Sequence, residues 1–410
     1  MAAEFLTKRA RRPRATLTTA VALAFLFANC PLAQAAPRPR SEEWWFDAWQ
    51  IIRKVWPIAQ GKGVTIGLID TGVEAQLPEL KDAVLRGKDF VGSTDHGGLI
   101  DTDTELGGHG TGMAALIAGQ GSGSGMVGIA PKSRILPISK ASGDYEKPIR
   151  YAVDHGAKVI NMSEGVPTDS CPSSVQAAVN YAIQHDVVVV AAAGNDPHAD
   201  STGTPANCSG VLTVGGVDAY LSPWPDSTPG SSVMLAAPSV SVGSIGKAGV
   251  FTPGGTGTSS ATALTSGVVA LMRSHFPDMP GREIVQRMLA TARDVGPEGW
   301  DKKTGYGALI PYKALTANVP KTAPNPVYDN IQATGSGAPN NLEHARHKPA
   351  RTSTHSKSDE PGYGFNGLAF IAALTLTFLS AAGIMTFHSK RRWHSLSLKR
   401  KYHGQSVTKK

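Results

Sequence analysis

Hydroxyl side chains crowd one short stretch of the chain, GTGTSSATALTSG at 255–267, with Thr258, Ser259 and Ser260 adjacent. Such a run suits the start of a tightly packed helix, where Ser and Thr cap free amides. It becomes a candidate nucleophile only if the chain supplies a base and a group to orient that base. Two other segments offer them. His109 lies in GGHGTGMAALIAG, flanked by Gly107, Gly108 and Gly110, and Asp70 closes the apolar run GVTIGLID. Glycines around a histidine let backbone approach closely, which a histidine merely filling a core does not need. An Asp-Thr-Gly also occurs in aspartic proteases, but those need two such carboxylates and the chain has no second one. Acid, base and hydroxyl appear in the order Asp, His, Ser, one of the chain orders known for a serine-protease triad.

These residues need a scaffold that brings them together. The runs at 63–70, 133–139, 157–163, 186–195, 210–217 and 231–238 are apolar and rich in β-branched residues. Several are nearly continuous in apolar character, as parallel strands covered on both faces are. Helical patterns alternate with them at 109–118, 146–155, 173–185, 260–276 and 282–292. Such alternation predicts a doubly wound α/β fold with a mostly parallel sheet and helices on both faces. Sites in such sheets form at the C-terminal strand ends. Asp70, Ser163 and Asn195 all stand at such ends. Trp44, Trp45, Phe46, Trp49 and Trp56, ahead of the first strand, read as a segment packed onto the domain.

IDTGV, GHGTGMA, AAAGN and GTSSATALTSG, in this order, resemble the four diagnostic segments of the subtilisin-like serine proteases over about residues 44–315. The resemblance implies Asp70 as the acid, His109 as the base and Ser259, directly after Gly-Thr, as the nucleophile. It implies Asn195 as the oxyanion-hole amide. Substrate backbone would lie along Ser163, Glu164 and Gly165, and the S1 wall along Ala192, Ala193 and Gly194. No metal or cofactor is implied. Ser260 and Ala263 depart from the usual Met and Pro, and Glu164 replaces a common apolar residue. A free carboxylate at Glu164 would favour a basic side chain in the adjoining subsite.

The ends of the chain place it. The formal net charge is +8, but Lys and Arg crowd both termini and the body between them is mildly acidic, which argues against a nucleic-acid partner. A basic head, the apolar run 17–27 and small residues at Ala33 and Ala35 predict a signal peptide over 1–36. The peptidase domain is expected over 37–317, followed by a disordered Pro-, Asn- and Ser-rich linker over 318–362. An uncharged run then predicts a transmembrane helix over 363–388, and the basic tail 389–410 a cytoplasmic C-terminus. Cys30 leaves with the signal peptide. In an oxidising compartment the remaining Cys171 and Cys208 are expected to pair. Signal peptide, short pre-strand segment, GTGMA after the histidine, linker and anchor together resemble the mycosins, membrane-anchored subtilases of type VII secretion. That resemblance implies a polypeptide substrate and a secretion-complex partner. A scaffold subunit with dispensable proteolysis, or a general degradative surface protease, fits the same architecture.

Overall fold

The structure, a computed structural model, describes residues 37–334. The expected signal peptide, transmembrane span and tail lie outside the described residues. Among the described residues no helix is long and apolar enough to cross a membrane.

Seven parallel strands form one sheet: β1 (Thr65–Asp70), β2 (Lys88–Asp89), β3 (Arg134–Ser139), β4 (Val159–Met162), β5 (Val188–Ala192), β6 (Val211–Val217) and β7 (Val233–Pro238). Their spatial order is β2-β3-β1-β4-β5-β6-β7. The chain therefore runs outward from β1 on one side, then crosses back to add β4 on the other. That reversal opens a crevice at the C-terminal ends of β1 and β4, where neighbouring connections diverge to opposite faces. A short antiparallel pair, β8 (Ser244–Ile245) with β9 (Phe251–Thr252), stands apart.

The strands β4, β5 and β6 are buried at every position, the signature of a sheet covered on both faces. One face carries α2 (His109–Ala118), α5 (Thr258–His275) and α6 (Gly281–Thr291). The other carries α3 (Glu146–Asp154) and α4 (Ser173–Gln184). Helix α5 is buried along nearly its whole length, because its small residues let it lie against the sheet and α2 together. α7 (Pro311–Thr316) completes the domain beside α6.

The aromatic segment ahead of β1 does pack onto the domain. It forms α1 (Trp45–Ala48) and a π-helical turn at Ile51–Val55. Trp45, Phe46, Trp49 and Trp56 are buried in the same core as α5. Two polar tips find partners: Trp56 Nε1 donates to the Ile129 carbonyl and Trp44 Nε1 to that of Ser241, both at 3.0 Å. Glu43 is buried just before them, accepting from the Arg40 and Val127 amides. Burial pushes its carboxyl up to about 7.

The beginning of the expected linker differs from that reading. Residues 318–334 are ordered, and α8 (Pro326–Thr334) buries Val327 and Tyr328 against the core. Its entry is tied down by Asn325, whose Nδ2 donates to the Arg282 carbonyl at 2.8 Å, and by the Arg282–Asp329 ion pair. One helical turn of apolar residues needs no core of its own when α6 already presents one.

Cys171 and Cys208 form a disulfide, with Cα atoms 5.0 Å apart across a separation of 37 residues. It ties the segment after β4 to the segment before β6, beside the Val166–Thr204 bridge. Constraining an unfolded loop of this length is worth about 4 kcal/mol in the chain-entropy model. A Cys171→Ala/Cys208→Ala chain should lose about 2–4 kcal/mol of stability, read as an earlier midpoint in urea unfolding. An unchanged midpoint would contradict that.

Candidate active site

Asp70 is the last residue of β1 and is only 1% exposed. Burying a carboxylate is costly unless donors surround it. Its Oδ1 accepts from the Thr71 amide at 2.9 Å and lies 2.7 Å from His109 Nδ1. His109 is the first residue of α2, and two backbone features let it reach Asp70. Gly108 adopts φ +116°, in the region that favours glycine. A Cβ at Gly110 would stand 2.1 Å from the Gly72 carbonyl oxygen, so no other residue fits there unmoved.

Two aspartates that the motif reading did not single out hold the loop ahead of α2. Asp103 accepts from the amides of Glu105, Leu106, Gly108 and His109, at 2.8–3.2 Å. Burial opposes its ionisation, but these four amides outweigh it and hold the carboxyl down at about 2. Asp101 accepts from the Thr111 amide at 2.8 Å and from Thr71 Oγ1 at 2.8 Å. Thr71 Oγ1 in turn accepts from the Gly110 amide at 3.0 Å. The first N–H groups of α2 are thereby satisfied, and one of the acceptors, Thr71, also donates its amide to Asp70.

Ser259 stands in the first turn of α5. Its Oγ donates to the Ser163 carbonyl at 2.6 Å, and Ser163 Oγ donates back to the Ser259 carbonyl at 3.1 Å. Behind this reciprocal pair, Asn161 Nδ2 donates to Ser163 Oγ and Ser266 Oγ donates to Asn161 Oδ1, each at 2.9 Å. A fully buried amide inside the otherwise apolar strand VINM was a visible signal in the sequence, and it serves to lock the end of β4 to α5. The Ser259 hydroxyl thus rests on the Ser163 carbonyl. Asn195 Oδ1 accepts from the Thr258 amide and hydroxyl, both at 2.9 Å. With its oxygen engaged there, the amide nitrogen is its remaining donor.

One open cleft of about 520 Å³ brings these groups together. His109 and Ser259 line it with Ser163, Glu164, Gly165, Ala192, Ala193, Gly194 and Asn195. Asp70 lies behind His109. Glu164 differs from the free carboxylate expected of a subsite: it is only part-exposed and pairs with Lys140, whose side chain is fully buried. Burial pushes the Glu164 carboxyl up while Lys140 pulls it back. For His109, burial works against the charged ring. The Asp70 charge and hydrogen bond, with Glu164 and Asp103 behind them, outweigh it and raise the imidazole to about 9.

A parallel α/β sheet with an acid–imidazole pair at the end of its central strand and a serine in the same cleft has the form of a subtilisin-type domain. Residues 61–307 match the subtilase family, peptidase S8, and the chain belongs to that family; it is a serine endopeptidase. Within the family it is similar to the mycosins. Mycosin-3 of Mycobacterium tuberculosis is 32% identical over 65% of this chain and 70% of its own. The crystal structure of MycP1 with the N-terminal propeptide removed superposes with a TM-score of 0.59 at 32% identity, covering 68% of this chain and 99% of that one. Fervidolysin of Fervidobacterium pennivorans is 32% identical over 68% of this chain, which spans 44% of fervidolysin's length.

Asp103→Ala leaves four amides uncapped at the entry to α2. Unfolding should show a loss of about 1–2 kcal/mol, the size of a strong helix-cap deletion. Peptidase activity should fall by more than the unfolded fraction explains, because His109 loses its anchor. Equal activity per folded molecule would refute that anchoring role.

Proposed function

We propose that Asp70, His109 and Ser259 are a catalytic triad, with Asn195 in the oxyanion hole, in an extracytoplasmic endopeptidase acting at a type VII secretion complex. The observation that carries the chemistry is the 2.7 Å Asp70–His109 contact in the cleft that Ser259 lines. Asp70 holds the ring with its proton on Nδ1, leaving Nε2 to accept. Ser259 leaves the Ser163 carbonyl, gives its proton to Nε2 and attacks the scissile carbonyl. His109 then protonates the departing amine and later activates the water that frees the acyl enzyme. Asn195 Nδ2 and the Ser259 amide, at the positive end of α5, stabilise the oxyanion. Substrate backbone runs along Ser163–Gly165, and Ala192, Ala193 and Gly194 wall the S1 pocket.

The secretion role draws on the likeness to MycP1 from the ESX-1 and MycP3 from the ESX-3 type VII secretion systems. The sequence patterns at both ends support export, a single C-terminal membrane anchor and an outward-facing catalytic domain. A restricted substrate set, one or a few exported polypeptides, follows the same likeness. The segment 37–61 supplies buried aromatic core and none of the cleft lining, which supports activity without an N-terminal cut.

His109 is active as a base only when neutral. A pKa raised above the ordinary 6.5 keeps it protonated at neutral pH, so kcat/KM should rise with pH along an acid limb near 9. A limb near 6.5 would show that the neighbouring carboxylates do not act on the ring. The full-length chain should react with a fluorophosphonate probe at Ser259 while retaining its intact mature N-terminus. Ser259→Ala should abolish labelling without unfolding the chain. Asn195→Ala should lower kcat by roughly 10²–10³, the order seen when an oxyanion-hole amide is removed. Labelling elsewhere, or only after an N-terminal cut, would overturn the corresponding part. Comparing proteins secreted by wild-type and Ser259→Ala cells tests the substrate set; unchanged secretomes point to a scaffold, and broad changes to general degradation.

A further inference from the structure

Lys140 follows the last residue of β3 and Glu164 lies two residues beyond β4. These strands flank β1 on opposite sides. Asp70 stands beside Ser139 in the β1–β3 register, and the Lys140 amide donates to the Asp70 carbonyl at 3.3 Å. The Lys140–Glu164 ion pair therefore crosses the end of β1 where Asp70 sits. Its ammonium is sealed from water: the Lys140 side chain is 0% exposed, and its Nζ lies 4.4 Å from the centre of the Tyr145 ring. Nζ also donates to the Ala141 carbonyl at 3.0 Å. The Tyr145 hydroxyl is buried without a hydrogen-bond partner among the described residues. A buried ion pair contributes little net stability compared with apolar packing of the same volume. Its position beside the acid–imidazole pair gives it another consequence.

We propose that Lys140 and Glu164 are positioning residues for the Asp70–His109 pair: Glu164 adds a second carboxylate to the cleft that the imidazole lines, and Lys140 holds that carboxylate charged and in place. This rests on the catalytic reading of His109 and Ser259. The carboxylates that act on the ring are Asp70 from β1, Glu164 from the end of β4 and Asp103 from the loop into α2, and Glu105 and Asp196 line the same cleft farther out on its rim. Behind them stand Lys140 and Tyr145, and Lys247, whose Nζ donates to the Asp103 carbonyl. Three carboxylates thus act on one imidazole, and only Glu164 has its own buried counter-ion. Glu164 also lines the cleft, so its charge acts where the imidazolium forms during acylation.

The test is the pH dependence of the rate at which a fluorophosphonate labels Ser259 in the full-length chain, measured alongside kcat and KM. Glu164→Gln keeps shape but removes the charge, leaving the Lys140 ammonium to repel a protonated ring. Its acid limb should move down by about half to one pH unit. Glu164→Asp keeps the charge and should restore the wild-type limb even if KM changes. Lys140→Met should shift the limb downward too, because an uncompensated buried carboxyl takes up a proton. The double variant Lys140→Met/Glu164→Gln should match Lys140→Met, since neither keeps a charge at the pair, and its limb should lie above that of Glu164→Gln, where the unpaired ammonium remains. A Glu164→Gln limb that coincides with wild type, with only kcat or KM changed, overturns the inference and leaves the triad standing. A wild-type chain that never labels at Ser259 overturns the catalytic reading and the inference with it.

Discussion

The carboxylate of Asp70 is buried at the end of the central strand, and its Oδ1 gathers the donors around it while Oδ2 has no hydrogen-bond partner among the described residues. The Thr71 amide and the His109 ring supply donors, and Thr71 Oγ1 is in turn held between Asp101 and Gly110. Removing any one of these leaves a charge or a polar group stranded where water does not reach it. That coupling makes the end of β1, the loop at 101–108 and the first turn of α2 one unit.

The second unit is the buried helix α5. It has no face turned to solvent, so its starting point is set by packing along its length rather than by local capping. The Asn161–Ser163–Ser259–Ser266 hydrogen bonds then fix its first turns against the end of β4. The Ser259 hydroxyl, in the first turn of a helix held this way, is aimed by the whole core. The amides freed at its start become the natural place for developing negative charge.

Electrostatically the cleft is acid-lined. Asp103, Glu105, Glu164 and Asp196 border it, and among the described residues no Lys or Arg does. These carboxylates are not equivalent. Asp103 is tied to four backbone amides and Glu164 to a buried lysine, so both are held by structure. Charge that is fixed in this way acts on the imidazole constantly, without the reorganisation a solvated carboxylate would need.

The alternation of apolar runs with helical patterns made the parallel sheet legible, because a strand buried on both faces carries its own signature in residue type. The helix over 109–118 and the strand over 211–217 lie within those patterns, and Asp70, His109, Ser259 and Asn195 were marked by short motifs whose chemistry is local. The cysteine pair needed only the expectation of an oxidising compartment and a count. What the chain alone did not disclose are relations between distant segments. Glu164 looked like a free charge because Lys140 lies 24 positions earlier and reaches it only when β3 and β4 take opposite sides of β1. α8 looked like linker because its few apolar residues suffice only once α6 presents a core for them. Residue type sets what a segment can do by itself; the partner that neutralises a charge or completes a core is chosen by strand order, and only the tertiary structure decides that.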